Sequence, residues 1–354
     1  MEIAVIGGGH GCYAAAAHLT EAGHRVRFWR RDTTQLTPAI TLTDWQGSRD
    51  VKIALTTGDV GEAMAGAELV VIPLPSTAHE DLSQVLAPHW QDGQVAFLPP
   101  GTLGSIMFAQ AARDAGTKAA FAETGTLPYL ARKQDAGHVR ISVYATRLPT
   151  GVFPANQTSR ALDVIGKVYP AEPLTDVLSG ALMNAGPIIH PPLIIMNAGP
   201  LEHFDEWDIH NEGTQPSIRR TTDALDAERM ALREALGYGA PHFPLADHYD
   251  DARDEWMYGN ASHERLTDSG DWRENIDLLS HRYMIEDTRL GLSLMASLGQ
   301  LAGLDLPLIN GFLAIGSAIT GTDFKATGRT LASLGLDGFS REELAALLQS
   351  GFDA

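Results

Sequence analysis

Two short segments in the second half of the chain hold residue types able to move protons and to grip anions. In the first, residues 184–192 (NAGPIIHPP), three prolines surround His190 in an otherwise apolar run. Proline in a helix interior costs about 3 kcal/mol, so this pattern predicts a break that fixes a side chain or ends a helix at a set place. His190 is the side chain so placed, and an imidazole titrates near neutrality, where it can give and recover a proton. The second segment, residues 281–287 (HRYMIED), sets Arg282 four residues before Glu286 and Tyr283 four before Asp287. On a helix, each pair would share a face. Arg282 is then either a bidentate clamp for a carboxylate or an intrahelical partner of Glu286, and spacing alone does not separate the two.

A third cluster lies at the start of the chain. Residues 2–6 (EIAVI) form a short apolar run, GGGHGC follows, and an alanine-rich stretch comes next. Gly7, Gly9 and Cys12 occupy the three places of a G-x-G-x-x-G loop. The first permits a tight turn, the second lets a pyrophosphate approach backbone N–H groups, and the third needs only a small side chain. A strand before the loop, a helix after it and a second strand at 24–29 complete a βαβ unit, the context a dinucleotide site requires. Where an acidic residue normally holds the ribose 2′-hydroxyl, the chain has Arg30 and Arg31. Guanidinium groups there suit a 2′-phosphate, which favours NADP(H) while leaving NAD(H) open. The competing reading keeps both arginines as surface charges and makes Asp32 a helix cap or the ribose ligand.

The elements that must carry these residues follow from the apolar pattern. Runs at 68–74, 94–101 and 118–123 alternate with helix-like stretches, predicting a doubly wound, mostly parallel sheet of the Rossmann class. Residues 138–153 read as one or two more strands and 159–169 as a closing helix. Beyond about residue 175 no convincing strand is found, and 225–237, 280–299 and 341–351 carry apolar residues at helical spacing. The expected domains are therefore 1–175, binding NAD(P), and 176–354, helical and holding the substrate. Residues 240–275 are acidic and polar and read as an ordered surface excursion.

At 354 residues, two domains are the ordinary outcome. A net charge of -18 without a Lys/Arg cluster argues against nucleic acid and anionic membranes as partners. The single cysteine permits no intrachain disulfide, no Cys/His grouping has zinc spacing, and no metal is expected. The N-terminus lacks the pattern of a signal peptide, so a cytoplasmic setting is expected, with small-molecule substrates and, at most, a second copy of the chain in a homodimer as partners.

The motifs resemble those of the octopine/nopaline (opine) dehydrogenase family over nearly the whole chain: GGGHG, LPPGTLG at 98–104, ETGTLPYLAR at 123–132, NAGPIIHPP, LDAERMALREALG at 225–237, HRYMIED, and TDFKATGRTLASLGLDG at 322–338. The resemblance implies a Rossmann domain followed by a helical domain, and reduction of the imine formed between a 2-oxo acid and the amino group of an amino acid. It places the catalytic histidine on His190 and its partner aspartate on Asp287. An aspartate on one ring nitrogen fixes the tautomer and stabilises the imidazolium. Substrate contacts are expected from Arg282, Tyr283 and Asn184, and cofactor contacts from Gly7, Gly9, His10, Gly11, Cys12, Arg30, Arg31 and Pro75. Two departures stand out: Arg30 replaces the acidic residue of NAD-using members, and Pro99 replaces the asparagine often found in the family's N-P-G turn. Ketopantoate reductases and hydroxyacid dehydrogenases share the architecture but rely on a lysine early in the helical domain, and this chain has none between Lys167 and Lys325. A non-catalytic NADP-sensing protein is the remaining alternative.

Overall fold

The computed structural model describes residues 1–352 apart from 251, 254–255, 260–261, 269 and 271. The chain divides into two compact units, Met1–Ala181 joined by the segment from Leu347 onward, and Leu182–Ala346.

The first unit is built on strands β1 (Glu2–Ile6), β2 (Arg25–Trp29), β3 (Ala39–Asp44), β4 (Gly47–Lys52), β5 (Leu55–Thr57), β6 (Leu69–Val71), β7 (Val95–Leu98), β8 (Ala120–Thr124), β9 (Tyr129–Asp135), β10 (His138–Tyr144), β11 (Leu148–Phe153) and β12 (Ala171–Pro173). Eight of them form one sheet in the order β12-β11-β8-β7-β6-β1-β2-β5. Only the β8–β11 pairing in it is antiparallel. The strands near its middle read as unbroken apolar runs because both faces are covered; Ile3 to Ile6, Leu69 to Val71 and Val95 to Leu98 are all fully buried. Order reverses at β1, between β2 and β6, and the crevice beyond the carboxyl ends of such strands is where open α/β sheets hold their ligands. Helices α1 (His10–Glu21), α2 (Val60–Met64), α3 (His79–Leu86), α4 (Ser105–Asp114), α5 (Thr158–Ile165) and α6 (Val177–Ala181) complete the unit.

A second sheet, in the order β4-β3-β10-β9, was not among the sequence expectations. Its strands are polar and half-exposed, as in GSRDVK of β4, so they lack the apolar signal of the main sheet. It packs Ile40, Leu42, Val139 and Ile141 into the same core as Tyr13 and the alanines of α1. The C-terminal segment also returns to this unit, where Phe352 lies 5.2 Å from the ring of Phe153 and the Arg113 guanidinium sits over it.

The second unit is helical: α7 (Gly186–Ile195), α8 (Ala198–His203), α9 (Pro216–Ala235), α10 (Ser262–Asp268), α11 (Leu292–Ala302), α12 (Pro307–Thr320) and α13 (Phe324–Thr327), with α14 (Arg341–Ser350) closing the chain. One short ladder, β13 (Trp207–Asp208) with β14 (Arg273–Glu274), corrects the expectation of no strand beyond residue 175. The 20-residue α9 is pinned by its own motif. Arg229, buried, bonds Asp226 at 2.5 Å and the carbonyls of Leu182 and His242, while Asp226 accepts the N–H of Leu245. Part of the 240–275 excursion lies outside the described residues; within the rest, Trp256, Met257, Tyr258, Leu266 and Trp272 are buried. The stretch Val177–Ile195 is long and apolar enough to cross a membrane by composition, and 78% of it is buried inside the protein.

Candidate active site

The glycine loop has the geometry its spacing predicts. Gly7 adopts φ +115°, open only to glycine at low cost, and a Cβ at Gly8 would meet Arg30 Cζ at 2.8 Å. No side chain caps α1, which leaves its N-terminus as a site for an anion. Cys12 packs its thiol beneath the turn, near the Ile6 and Pro73 carbonyls, and burial pushes it up to about 12. Its role is that of a small, inert packing residue. His10 accepts the N–H of Lys133 on Nδ1 at 2.8 Å, tying the loop to β9. Gly11 is buried in α1, and Pro75 precedes the helical turn at 76–78.

Arg30 and Arg31 part company. Arg30 lies over the loop, its guanidinium bonding Tyr13 Oη at 3.2 Å, whereas Arg31 points outward and pairs with Asp81 at 2.6 Å. Asp32 caps the turn at 33–35 through Thr34, so the structure favours its cap reading over that of a ribose ligand. The loop, the uncapped helix and a half-buried guanidinium suit a dinucleotide phosphate chain.

His190 and Asp287 are brought together across 97 residues: His190 Nδ1 lies 2.7 Å from Asp287 Oδ2. The chain around His190 is not broken, contrary to expectation. Residues 186–195 form one helix that runs through Pro191 and Pro192, with Pro187 in the first turn, where a missing N–H costs nothing. Burial on nearly every side of α7 outweighs the two lost backbone bonds. The second segment also departs from prediction. Residues Tyr283–Gly291 form a π-helix, not an α-helix, and Thr288 Oγ1 bonds the Tyr283 carbonyl five residues back. The two helices approach closely because Gly291 faces Pro187. The wider turn places Tyr283 flat against His190, with ring centroids 3.6 Å apart and planes 14° apart. Such insertions are rare and concentrate at functional sites.

Burial acts on both partners of the pair. It holds His190 well below its usual range, reinforced by the Arg282 cation, and lifts Asp287 to about 7, where Arg282 opposes the lift. Each shift favours the neutral form of its own group, so the two describe one shared proton and belong to the pair. With that proton present, Nε2 of His190 carries hydrogen; without it, Nε2 is a base.

Two family models match. The α-helical domain of NAD/NADP octopine/nopaline dehydrogenase matches residues 173–320, and the N-terminus of NAD-dependent glycerol-3-phosphate dehydrogenase matches 2–98. Over its helical half the chain is similar to the octopine/nopaline dehydrogenases. An opine dehydrogenase of Arthrobacter sp. (strain 1C) is 27% identical over 352 residues, covering 95% of this chain and 96% of the relative. An octopine dehydrogenase solved with NADH and agmatine superimposes with a TM-score of 0.74 at 16% identity, over 99% of this chain and 98% of that one. A yersinopine dehydrogenase solved with NADP+ bound gives 0.66 at 14% identity, over the same shares. Those structures share the fold, and the first unit is an NAD(P)-binding Rossmann domain.

The expected substrate residues take distinct places. Tyr283 is buried in the stack with His190. Arg282 is solvent-exposed, with its guanidinium 5.1 Å from the Tyr283 ring centroid. Asn184 is buried and its Oδ1 accepts the N–H of Gly186, which makes it a support of the α7 N-terminus. Sequence reasoning overlooked Gly186 itself. A Cβ there would overlap Asp287 Oδ1 and lie 3.0 Å from its Cγ. The nearest obstacle is the end of a side chain, so Gly186→Ala should displace the carboxylate rather than unfold the unit. Displacement of a catalytic group by about 1 Å can cost on the order of 10²-fold, and kcat should fall by roughly tenfold or more with Tm nearly unchanged. Full activity in Gly186→Ala would show that the carboxylate position is not critical.

Proposed function

We propose that this protein is an opine dehydrogenase that reduces the imine formed between a 2-oxo acid and the amino group of an amino acid, with NADPH preferred. The observation that carries the reading is the part-buried His190–Asp287 pair, Nδ1 to Oδ2 at 2.7 Å, with Arg282 beside it. Asp287 holds Nδ1, so Nε2 is the nitrogen that exchanges a proton with substrate. The glycine loop and Arg30 would hold the nicotinamide cofactor, which would supply the hydride for the imine carbon. His190 Nε2–H protonates the imine nitrogen, and Arg282 grips a carboxylate through paired N–H groups. Together, one oxo acid, one amine, one hydride and one proton give a secondary amine and water.

The direct test is NADPH consumption against a matrix of 2-oxo acids and amino acids, with mass spectrometry of the products. Oxidation that needs both partners and gives the secondary amine supports the reading. A hydroxy acid formed without any amine would mark a keto-acid reductase, and no turnover with any pair would mark a sensor.

Support for the cofactor preference comes from Arg30, which follows β2 and lies over the glycine loop, while Asp32 caps the next turn through Thr34. Arg30→Asp should lower kcat/KM with NADPH by at least tenfold while improving or sparing NADH, since it replaces a charge-assisted bond with like-charge repulsion. Equal kcat/KM for the two cofactors in the unmutated protein would end this part of the reading.

A further inference from the structure

Lys133 lies in β9, more than 100 residues from the glycine loop, in the sheet that the sequence did not announce. Three contacts set it beside the glycine loop and the turn that follows β2. Its N–H donates to His10 Nδ1 at 2.8 Å, which anchors the strand to the glycine loop. Its Nζ lies 4.5 Å from the Tyr13 ring centroid and donates to Gln35 Oε1 at 2.8 Å. Tyr13 in turn receives the Arg30 guanidinium on its hydroxyl and donates that hydroxyl to the Gln35 carbonyl at 2.7 Å. One buried tyrosine therefore holds a guanidinium at its hydroxyl and an ammonium over its face, both next to the turn that follows β2.

We propose that Lys133 and Arg30 together form the receptor for the adenosine 2′-phosphate, with Lys133 as a specificity-determining residue. The proposal rests on the NADPH reading above and deepens it. Two cations held this close repel one another, and a dianion between them removes the repulsion and accepts charge-assisted bonds from both. Arg30 Nε is buried and bonds to nothing among the described residues, which leaves it a donor to offer. Lys133 is held below the usual lysine range, first by burial and then by Arg30, with Asp135 and Asp32 only partly offsetting them. Asp32 touches Arg30 at 3.6 Å but is half-exposed and committed to its cap, so it does not fill the place of the phosphate. Arg31, paired outward with Asp81, is left out of the receptor.

Equilibrium titration of the full chain with 2′,5′-ADP and with 5′-AMP isolates the 2′-phosphate from hydride chemistry. The unmutated protein should bind 2′,5′-ADP at least tenfold more tightly. Lys133→Met should weaken 2′,5′-ADP by roughly tenfold, the scale of one hydrogen bond to a charged group, and leave 5′-AMP within about twofold. Lys133→Arg, which keeps the charge, should recover most of the loss. If the unmutated protein does not distinguish the two nucleotides, both the NADPH reading and this proposal fall. If it does, and Lys133→Met weakens both nucleotides equally or neither, the reading stands and the assignment of Lys133 is overturned. Melting curves for each variant exclude loss by unfolding.

Discussion

Replacing His190 with alanine should lower kcat by about 10²- to 10⁴-fold, the ordinary worth of a positioned general acid, in a protein that still folds and still binds NADPH. His190 belongs to the helical unit and the glycine loop to the other, so cofactor affinity is a fair control. Asp287→Asn should also be harmful, because an amide neither stabilises the imidazolium nor enforces the tautomer with Nδ1–H. Since the two side chains share one proton, the double mutant should be little worse than His190→Ala alone. The pH profile supplies a second readout. Oxidation of the secondary-amine product deposits a proton on Nε2, so it needs the pair without its shared proton. Asp287 is lifted to about 7, and the proton is therefore retained below that value. The kcat for oxidation should rise with pH through about 7 and level off above it, and the step should vanish in Asp287→Asn. Losses that multiply in the double mutant, or near-normal turnover of His190→Ala across pH, would require another proton donor.

The parts of this molecule legible in its sequence are those whose side chains report burial directly. Strands β1, β6 and β7 are apolar on both faces and announce a parallel sheet, and the glycine loop between β1 and α1 announces its ligand through turn geometry. Strands β3, β4 and β9 expose one face and alternate weakly, and β3 pairs with β10 far along the chain, Thr41 opposite His138, so no local pattern marks them. Lys133 was hidden for that reason. In the helical unit, local rules misled because packing overrides them. Two interior prolines read as a break in α7, yet the helix continues where its burial outweighs the lost bonds. A spacing of four read as an α-helical face at 282–287, but the π-helix turns more slowly and points Tyr283 at His190. Each residue of the His190–Asp287 pair was visible singly, and family resemblance, not spacing, joined them.

Arg282 offers the second large effect, and it separates two roles that one cation plays. As a carboxylate clamp it makes two charge-assisted bonds, each worth about 1.5 to 3 kcal/mol, so Arg282→Leu should lower kcat/KM for the acid substrate by roughly 10²- to 10⁴-fold. Arg282→Lys keeps the charge but loses the planar fork, so it should retain only part of that affinity, seen mainly as a raised KM. The residue as a whole is exposed, with its guanidinium over the Tyr283 ring, and Tm should move little. Its second role is electrostatic. Arg282 disfavours the His190 imidazolium and favours the Asp287 carboxylate, and both effects strip the shared proton from the pair. Without that cation the pair should keep its proton to higher pH, and the oxidation step near 7 should move upward in Arg282→Leu while staying nearly in place in Arg282→Lys. A much lower Tm with unchanged KM and an unmoved pH step would instead assign Arg282 to holding the π-helix, as a partner of Glu286 one turn on.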